Sequence, residues 1–322
     1  MLLELFIIII SVFMMMLPGY FSAKKRLIGE NTLRELSAIH INFIYPCLIL
    51  SSLISSFDFK ELSSLWYLPV ICFGIMLLGF IFGKIILQIP LFSSEEERKA
   101  FLLQCTINNY SFLPLPIAYC LYGEKGTAIV IYSSIGAETA LWTLGLGSLR
   151  GKFFDKSQLN KFFAPPLISL YFALSLIIIS EIFSFNLKSF ITSNKIFSSL
   201  LFSIKTVGSA TIPIAMIVCG ARLALMPLHE LNKLSLWTVI TMRLIVIPLF
   251  AIFAIYHLPI DILYKNTLCV VAVMPVAVAS ILLTEIYGGD KDFVAASVFL
   301  THIFSLITVP VILAIYTILT RT

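Results

Sequence analysis

Ten stretches of this chain stay apolar for long enough to cross a bilayer, at roughly 2–21, 34–56, 62–89, 100–122, 127–149, 162–184, 199–225, 233–257, 263–287 and 293–319. Inside a hydrocarbon layer about 30 Å thick, every backbone N–H and C=O must find its partner within the protein. Segments of about 20 residues meet that demand as helices. The runs therefore predict an all-α membrane protein of ten transmembrane helices, numbered here as runs 1 to 10. Composition points the same way, since 59% hydrophobic residues, 12% charged residues and a mean hydropathy of +1.01 lie far from those of a soluble domain of 322 residues.

The charges fall between the runs. With Arg34, Lys84, Lys205, Arg222, Lys233 and Lys265 counted to the nearer run end, the loops after runs 1, 3, 5, 7 and 9 carry 14 of the 22 Lys and Arg, the opposite side carries 7, and Arg243 lies inside run 8. The positive-inside rule then puts "SAKKRLIGENTLR" and "RGKFFDKSQLNK" in the cytoplasm and both termini outside it, in the cell membrane, the inner membrane of a bacterium. The net charge of +5 thus reflects membrane flanks, with the lipid bilayer as partner and no nucleic acid. Glu4, and no Lys or Arg, stands before "LFIIIISVFMMMLPGY" in run 1, so that run reads as a retained helix. The six cysteines, Cys47, Cys72, Cys105, Cys120, Cys219 and Cys269, sit within apolar runs without CxxC spacing, so neither a metal nor a cofactor is called for. No HExxH, GxSxG or clustered catalytic carboxylates are present either, and the chain does not read as an enzyme.

The halves of the chain resemble each other. Tyr122-Gly123 in "LYGEKGTA" maps onto Tyr287-Gly288 in "IYGGDKDF", and similar shifts relate Pro46 to Pro213 and Trp66 to Trp237. Five helices per copy is an odd number, so the second copy enters the membrane from the other side. This predicts two inverted five-helix repeats over 1–149 and 162–322, joined by a short cytoplasmic loop at 150–161.

Runs 4 and 9 carry residues that a lipid-embedded helix does not tolerate lightly. In "INNYSFLPLP", Asn108, Asn109, Pro114 and Pro116 interrupt run 4, and Met274-Pro275-Val276 interrupts run 9 at the matching depth. Both breaks are expected near the midplane, crossing there, with half-helix N-termini offering N–H groups to an anion and C-termini offering carbonyls to a cation. Asn108 and Asn109 add amides, while Tyr110, Ser111 and Ser280 lie beside the breaks. Such an arrangement suits a solute site better than a lined pore.

The same residues resemble a known family. "NNYSFLPLPIAYCLYGEKGTA" looks like the fourth helix of the auxin efflux carrier family, with Tyr110 and Leu113 where glycines are usual. "VVAVMPVAVASILLTEIYGGDKDFVAASVFLTHIFSLITVPVI" looks like its C-terminal signature. The resemblance spans essentially the whole chain. It implies an elevator-type secondary transporter of a small organic anion, such as malate, malonate or an auxin-like indole acid. Runs 1, 2, 6 and 7 would form a scaffold, available for a homodimer, and runs 3–5 and 8–10 a transport domain. The short link between runs 5 and 6 favours a prokaryote-like permease. A sodium-coupled symporter of the bile-acid type shares the architecture and is the alternative. It would need several oxygen ligands around both breaks, of which run 9 offers Ser280.

Three ionisable residues inside the runs are candidates for coupling: Glu138 in run 5, Arg243 in run 8 and His302 in run 10. Each also has a structural alternative. These are a hydrogen-bonded acid for Glu138, a snorkelling or paired cation for Arg243 and a packed imidazole for His302.

Overall fold

The computed structural model describes residues 2–151, 163–226 and 233–320, so the expected cytoplasmic loop, from Lys152 onward, lies outside the described residues. The described residues form helices: α1 (Leu3–Lys24), α2 (Glu30–Ser56), α3 (Phe59–Ile86), α4 (Glu95–Thr106), α5 (Pro114–Arg150), α6 (Pro165–Ile182), the short α7 (Leu187–Ser193), α8 (Lys195–Leu225), α9 (Leu234–Tyr256), α10 (Ile262–Ala272), α11 (Ser280–Tyr287) and α12 (Lys291–Leu319). Eight of them, α1, α2, α3, α5, α6, α8, α9 and α12, are long and apolar enough to cross a membrane. Runs 4 and 9 are absent from that set because each is interrupted. Run 4 divides into α4 and the first part of α5, which turns a corner at Gly123; run 9 divides into α10 and α11.

Helix starts follow the local chemistry. The Ser94 hydroxyl accepts the Glu97 N–H at 3.1 Å, and the Glu97 carboxylate accepts the Ser93 N–H at 3.0 Å, leaving Glu95 and Glu96 at the positive end of α4. Asp58, Asp261 and Asp290 cap α3, α10 and α12 through their carboxylates. Gly123 and Gly288, the two repeat-matched glycines, both have positive φ, 64° and 93°, where a side chain would be strained.

Backbones meet closely at glycines. A Cβ at Gly19 would lie 1.9 Å from the Ile217 carbonyl oxygen, and one at Gly220 would lie 1.9 Å from that of Met16, so α1 and α8 cross in direct contact. α2 packs against α6 and α8, whereas α3 packs on α5 and α4, and α10 on α5. The outer face is apolar, with Phe202, Phe172, Ile182 and Phe253 exposed as lipid-facing side chains require. Single π-helical turns at 40–44, 141–145 and 242–246 carry His40, Trp142 and Arg243. Such bulges recur at functional positions.

Candidate functional site

The two interruptions lie against each other. After Thr106 the chain becomes extended, and Asn108 forms an antiparallel bridge with Val276. The Asn109 N–H donates to the Pro275 carbonyl at 2.8 Å, and the Ala277 N–H donates to the Ile107 carbonyl at 3.2 Å. Four helix ends converge here: the C-termini of α4 and α10 and the N-termini of α5 and α11. Backbone groups that lipid could not satisfy are paired across the crossing instead.

Side chains complete that pairing. The Asn108 amide donates to the Val271 carbonyl at 2.6 Å, from the last turn of α10. The Asn109 side chain works in two directions: its oxygen accepts the Leu113 N–H at 3.3 Å, just before α5, and its amide faces His302 Nε2 at 3.4 Å. His302 Nδ1 lies 2.8 Å from the Val298 carbonyl, which only a protonated Nδ1 can satisfy, so a neutral ring leaves Nε2 free to accept. The Arg243 guanidinium, fully buried, donates to the Cys105 carbonyl at 3.3 Å and to the Ala272 carbonyl at 3.2 Å. Tyr110 donates its hydroxyl to Glu138 at 2.8 Å, and Trp142 Nε1 donates to the other carboxylate oxygen at 3.1 Å.

Each residue singled out from the sequence has a place in this arrangement. Pro114 is the first residue of α5, where a missing N–H costs nothing, and Pro116 lies in the same turn. Pro275 behaves differently. Where the sequence suggests a half-helix resuming directly after it, the structure keeps 273–279 out of helix and starts α11 only at Ser280, because the Pro275 carbonyl and the Ala277 N–H are held by run 4. Ser280 turns its hydroxyl onto the Ala277 carbonyl at 2.6 Å. Met274 is buried beside the bridge, whereas Tyr110 and Ser111 are half-buried and border its accessible side with Phe112.

Other contributors carry weaker sequence signals. Gln104 in α4 donates to the Ser297 hydroxyl at 2.6 Å and the Val294 carbonyl at 3.2 Å, tying the first half of run 4 to α12. Its signal is the one that marks Asn108, an amide in an apolar run. Ser297, Thr301 and Ser305 recur at helical spacing beside His302, a polar stripe on one face of α12. His40 packs its ring edge-on against Phe112, with centroids 5.4 Å apart, and so joins α2 to the crossing loop. A cavity of about 410 Å³ runs from Pro116 and Tyr119 on α5 to Ser51 and Ser52 on α2 and Lys205 on α8. Lys205 pairs with Glu124 at 2.6 Å beside it.

The model of a family described as membrane transport protein matches residues 5–313. The chain belongs to that family, the auxin efflux carriers. Two similar proteins share its length. An uncharacterized transporter of Methanocaldococcus jannaschii is 31% identical over 313 residues, covering 94% of this chain and 96% of that protein. An uncharacterized transporter of Methanothermobacter thermautotrophicus is 27% identical over 307 residues, covering 94% and 95%. Membership makes the chain a multi-pass membrane transporter, and the convergence of four helix ends is the part of this transporter on which a functional reading turns.

Proposed function

We propose that the chain is a secondary carrier for a small organic anion, with the solute bound at the crossing of the two interrupted runs. The observation that carries this reading is the Asn108–Val276 bridge, which holds two chain breaks together instead of leaving each as a separate kink. In this reading runs 4 and 9 both span the membrane, giving ten spans in two inverted repeats with the crossing near the midplane. The matched positive-φ glycines support the repeat. The N-termini of α5 and α11 lie at the crossing with the partial positive charge of their helix dipoles, which suits a carboxylate.

Asn109 is the favoured ligand of the two asparagines. Its amide sits at a long 3.4 Å from His302 and can be exchanged for a solute oxygen, whereas the Asn108 amide at 2.6 Å holds the crossing itself. Glu138, linked through Tyr110, is the group through which a proton would be coupled to the site. Helices α1, α2, α6 and α8 form the scaffold and the remainder the moving body, in line with the heavy packing of α1 on α8 and of α2 on α6 and α8; the cavity beside Pro116, between α5 and the scaffold, is the route by which solute reaches the crossing.

The test is flux in proteoliposomes of labelled malate, malonate and an indole acid, with and without sodium and proton gradients. Saturable uptake of one of them, lost with Asn109→Ala, is expected. No uptake of any anion would remove the carrier reading, and strictly sodium-driven uptake would move it to the bile-acid type. Orientation has its own check. In a cysteine-free background, a cysteine replacing the exposed Glu124 should react with an impermeant thiol reagent on intact cells, and one replacing the exposed Glu95 should not; the reverse pattern would invert the topology.

A further inference from the structure

Two helix C-termini face the crossing, and one buried cation stands between them. The last carbonyls of a helix have no partner within it, and each C-terminus carries about half a negative charge, so α4 and α10 together present about one. Arg243 meets both. Its Nη1 donates to Cys105 of α4 and its Nη2 to Ala272 of α10, from a side chain with no exposed surface. No carboxylate among the described residues pairs with it, and Glu138, which reaches the crossing through Tyr110, accepts instead from Tyr110 and Trp142. A buried, permanently protonated guanidinium without an acidic partner is costly unless fixed dipoles balance it. Here the two helix ends do so.

Resting on the carrier reading, we propose that Arg243 is a built-in counter-cation. It fills the seat between the α4 and α10 carbonyls that a soluble monovalent cation would otherwise occupy, and the anion is therefore moved without sodium bound there. Arg243 is a positioning residue: it touches no solute and holds the two breaks in charge balance. Because its charge is matched by the helix ends, the charge of the anion falls to the N-termini of α5 and α11.

The test compares full-length wild type, Arg243→Ala and Arg243→Lys. In detergent, the unfolding midpoint of Arg243→Ala should lie below that of wild type and rise saturably with guanidinium chloride at low concentration. It should not rise with tetramethylammonium chloride, which donates no hydrogen bonds, and wild type should show no such rise. In proteoliposomes, flux through Arg243→Ala should fall about tenfold to a hundredfold, as loss of charge-assisted hydrogen bonds implies, and recover with guanidinium. Wild-type flux should be equal in sodium and in choline. The same guanidinium response in wild type and variant, or no response in the variant, would overturn the proposal; so would wild-type flux that needs sodium. If Arg243→Ala does not insert, Arg243→Lys supplies the test instead: its ammonium keeps the charge but cannot reproduce a two-pronged contact, so flux should stay sodium-independent with a lowered midpoint, and flux that becomes sodium-dependent or a midpoint equal to wild type would overturn the proposal. A wild type that moves no organic anion would defeat the carrier reading alone, because the midpoint comparison needs no substrate.

Discussion

The two interruptions make one crossing from unlike materials. The first, 107–113, is rich in side-chain chemistry: Asn108 reaches Val271, Asn109 reaches Leu113 and His302, and Tyr110 reaches Glu138. The second, 273–279, reads "VMPVAVA" and has no hydrogen-bonding side chain at all. It contributes backbone, with the Pro275 carbonyl and the Ala277 N–H used across the bridge and the Val271 and Ala272 carbonyls offered just before it. Packing is equally lopsided. Gly79, Gly83 and Gly145 all have their nearest neighbours on α4 or the residue after it, whereas α10 supplies none of the nearest neighbours of these three glycines. A break can therefore be polar in sequence or polar only in backbone, and the crossing joins one of each kind.

The largest expected effect follows from the packing difference. Gly79→Ala would place a Cβ 2.1 Å from the Cys105 carbonyl oxygen and 3.3 Å from Thr106 Cα, both backbone atoms that cannot turn aside. Overpacking of that kind should cost about 3 kcal/mol or more, and it displaces one of the two carbonyls that Arg243 holds. The unfolding midpoint of purified Gly79→Ala should fall accordingly. An unchanged midpoint would show that α4 is not braced where α10 is free.

Next comes Asn108→Ala. It removes a buried donor from the Val271 carbonyl, which then keeps only a long 3.4 Å contact from the Met274 N–H. The loss should be about 2 kcal/mol in unfolding free energy, moderated because the Asn108 side-chain oxygen has no partner to lose. Asn108→Asp should be worse than Ala, since it sets an acceptor against a carbonyl. Equal stabilities for wild type and Asp would mean that the amide does not hold the crossing.

The interruption of both runs is legible in the sequence, because proline and asparagine have no cheap place in a lipid-embedded helix. The all-helical membrane class follows from the lengths of the apolar runs. What the residues do at the break is less legible. A buried amide promises donors, but only the fold decides whether these meet a solute or a neighbouring carbonyl. Both asparagine amides turn inward in this conformation. Arg243 reads from the sequence as a coupling residue or as a snorkelling or paired cation, and it is turned inward onto two helix ends that are 138 and 29 residues away in the chain. Residues so distant leave no local pattern. The same holds for His40 against Phe112 and for Gln104 against Ser297.

Asn109→Ala sharpens the comparison on the solute side. If the polar break supplies the ligand, affinity should fall by about 1–2 kcal/mol, roughly tenfold, with the unfolding midpoint nearly unchanged because only contacts at 3.3 and 3.4 Å are lost. Binding by the purified protein measures it. A mutant that loses stability but keeps its affinity would reassign Asn109 to the framework.

The smallest expected effect is the most discriminating, and it concerns the apolar break. Pro275 lies four residues after Val271, so its missing N–H is the one that would donate to the Val271 carbonyl if α10 continued. That carbonyl is open to Asn108 because the proline cannot claim it. Pro275→Ala supplies the rival donor. α10 can then lengthen by a turn at the expense of the Asn108 contact and of the Pro275 carbonyl's bond from Asn109, one set of hydrogen bonds being exchanged for another. Net stability should change by no more than about 1 kcal/mol, since a good helix former and a regained backbone bond offset what is lost. The coupling to Asn108 should be larger than that net change. In Asn108→Ala, the added N–H at 275 restores a partner to Val271, so the double mutant should be more stable than the sum of the single losses by about 1–2 kcal/mol. Unfolding measurements on both single mutants and the double close the cycle. Strict additivity would mean that the proline and the asparagine act on different carbonyls, and that the two breaks meet without depending on each other.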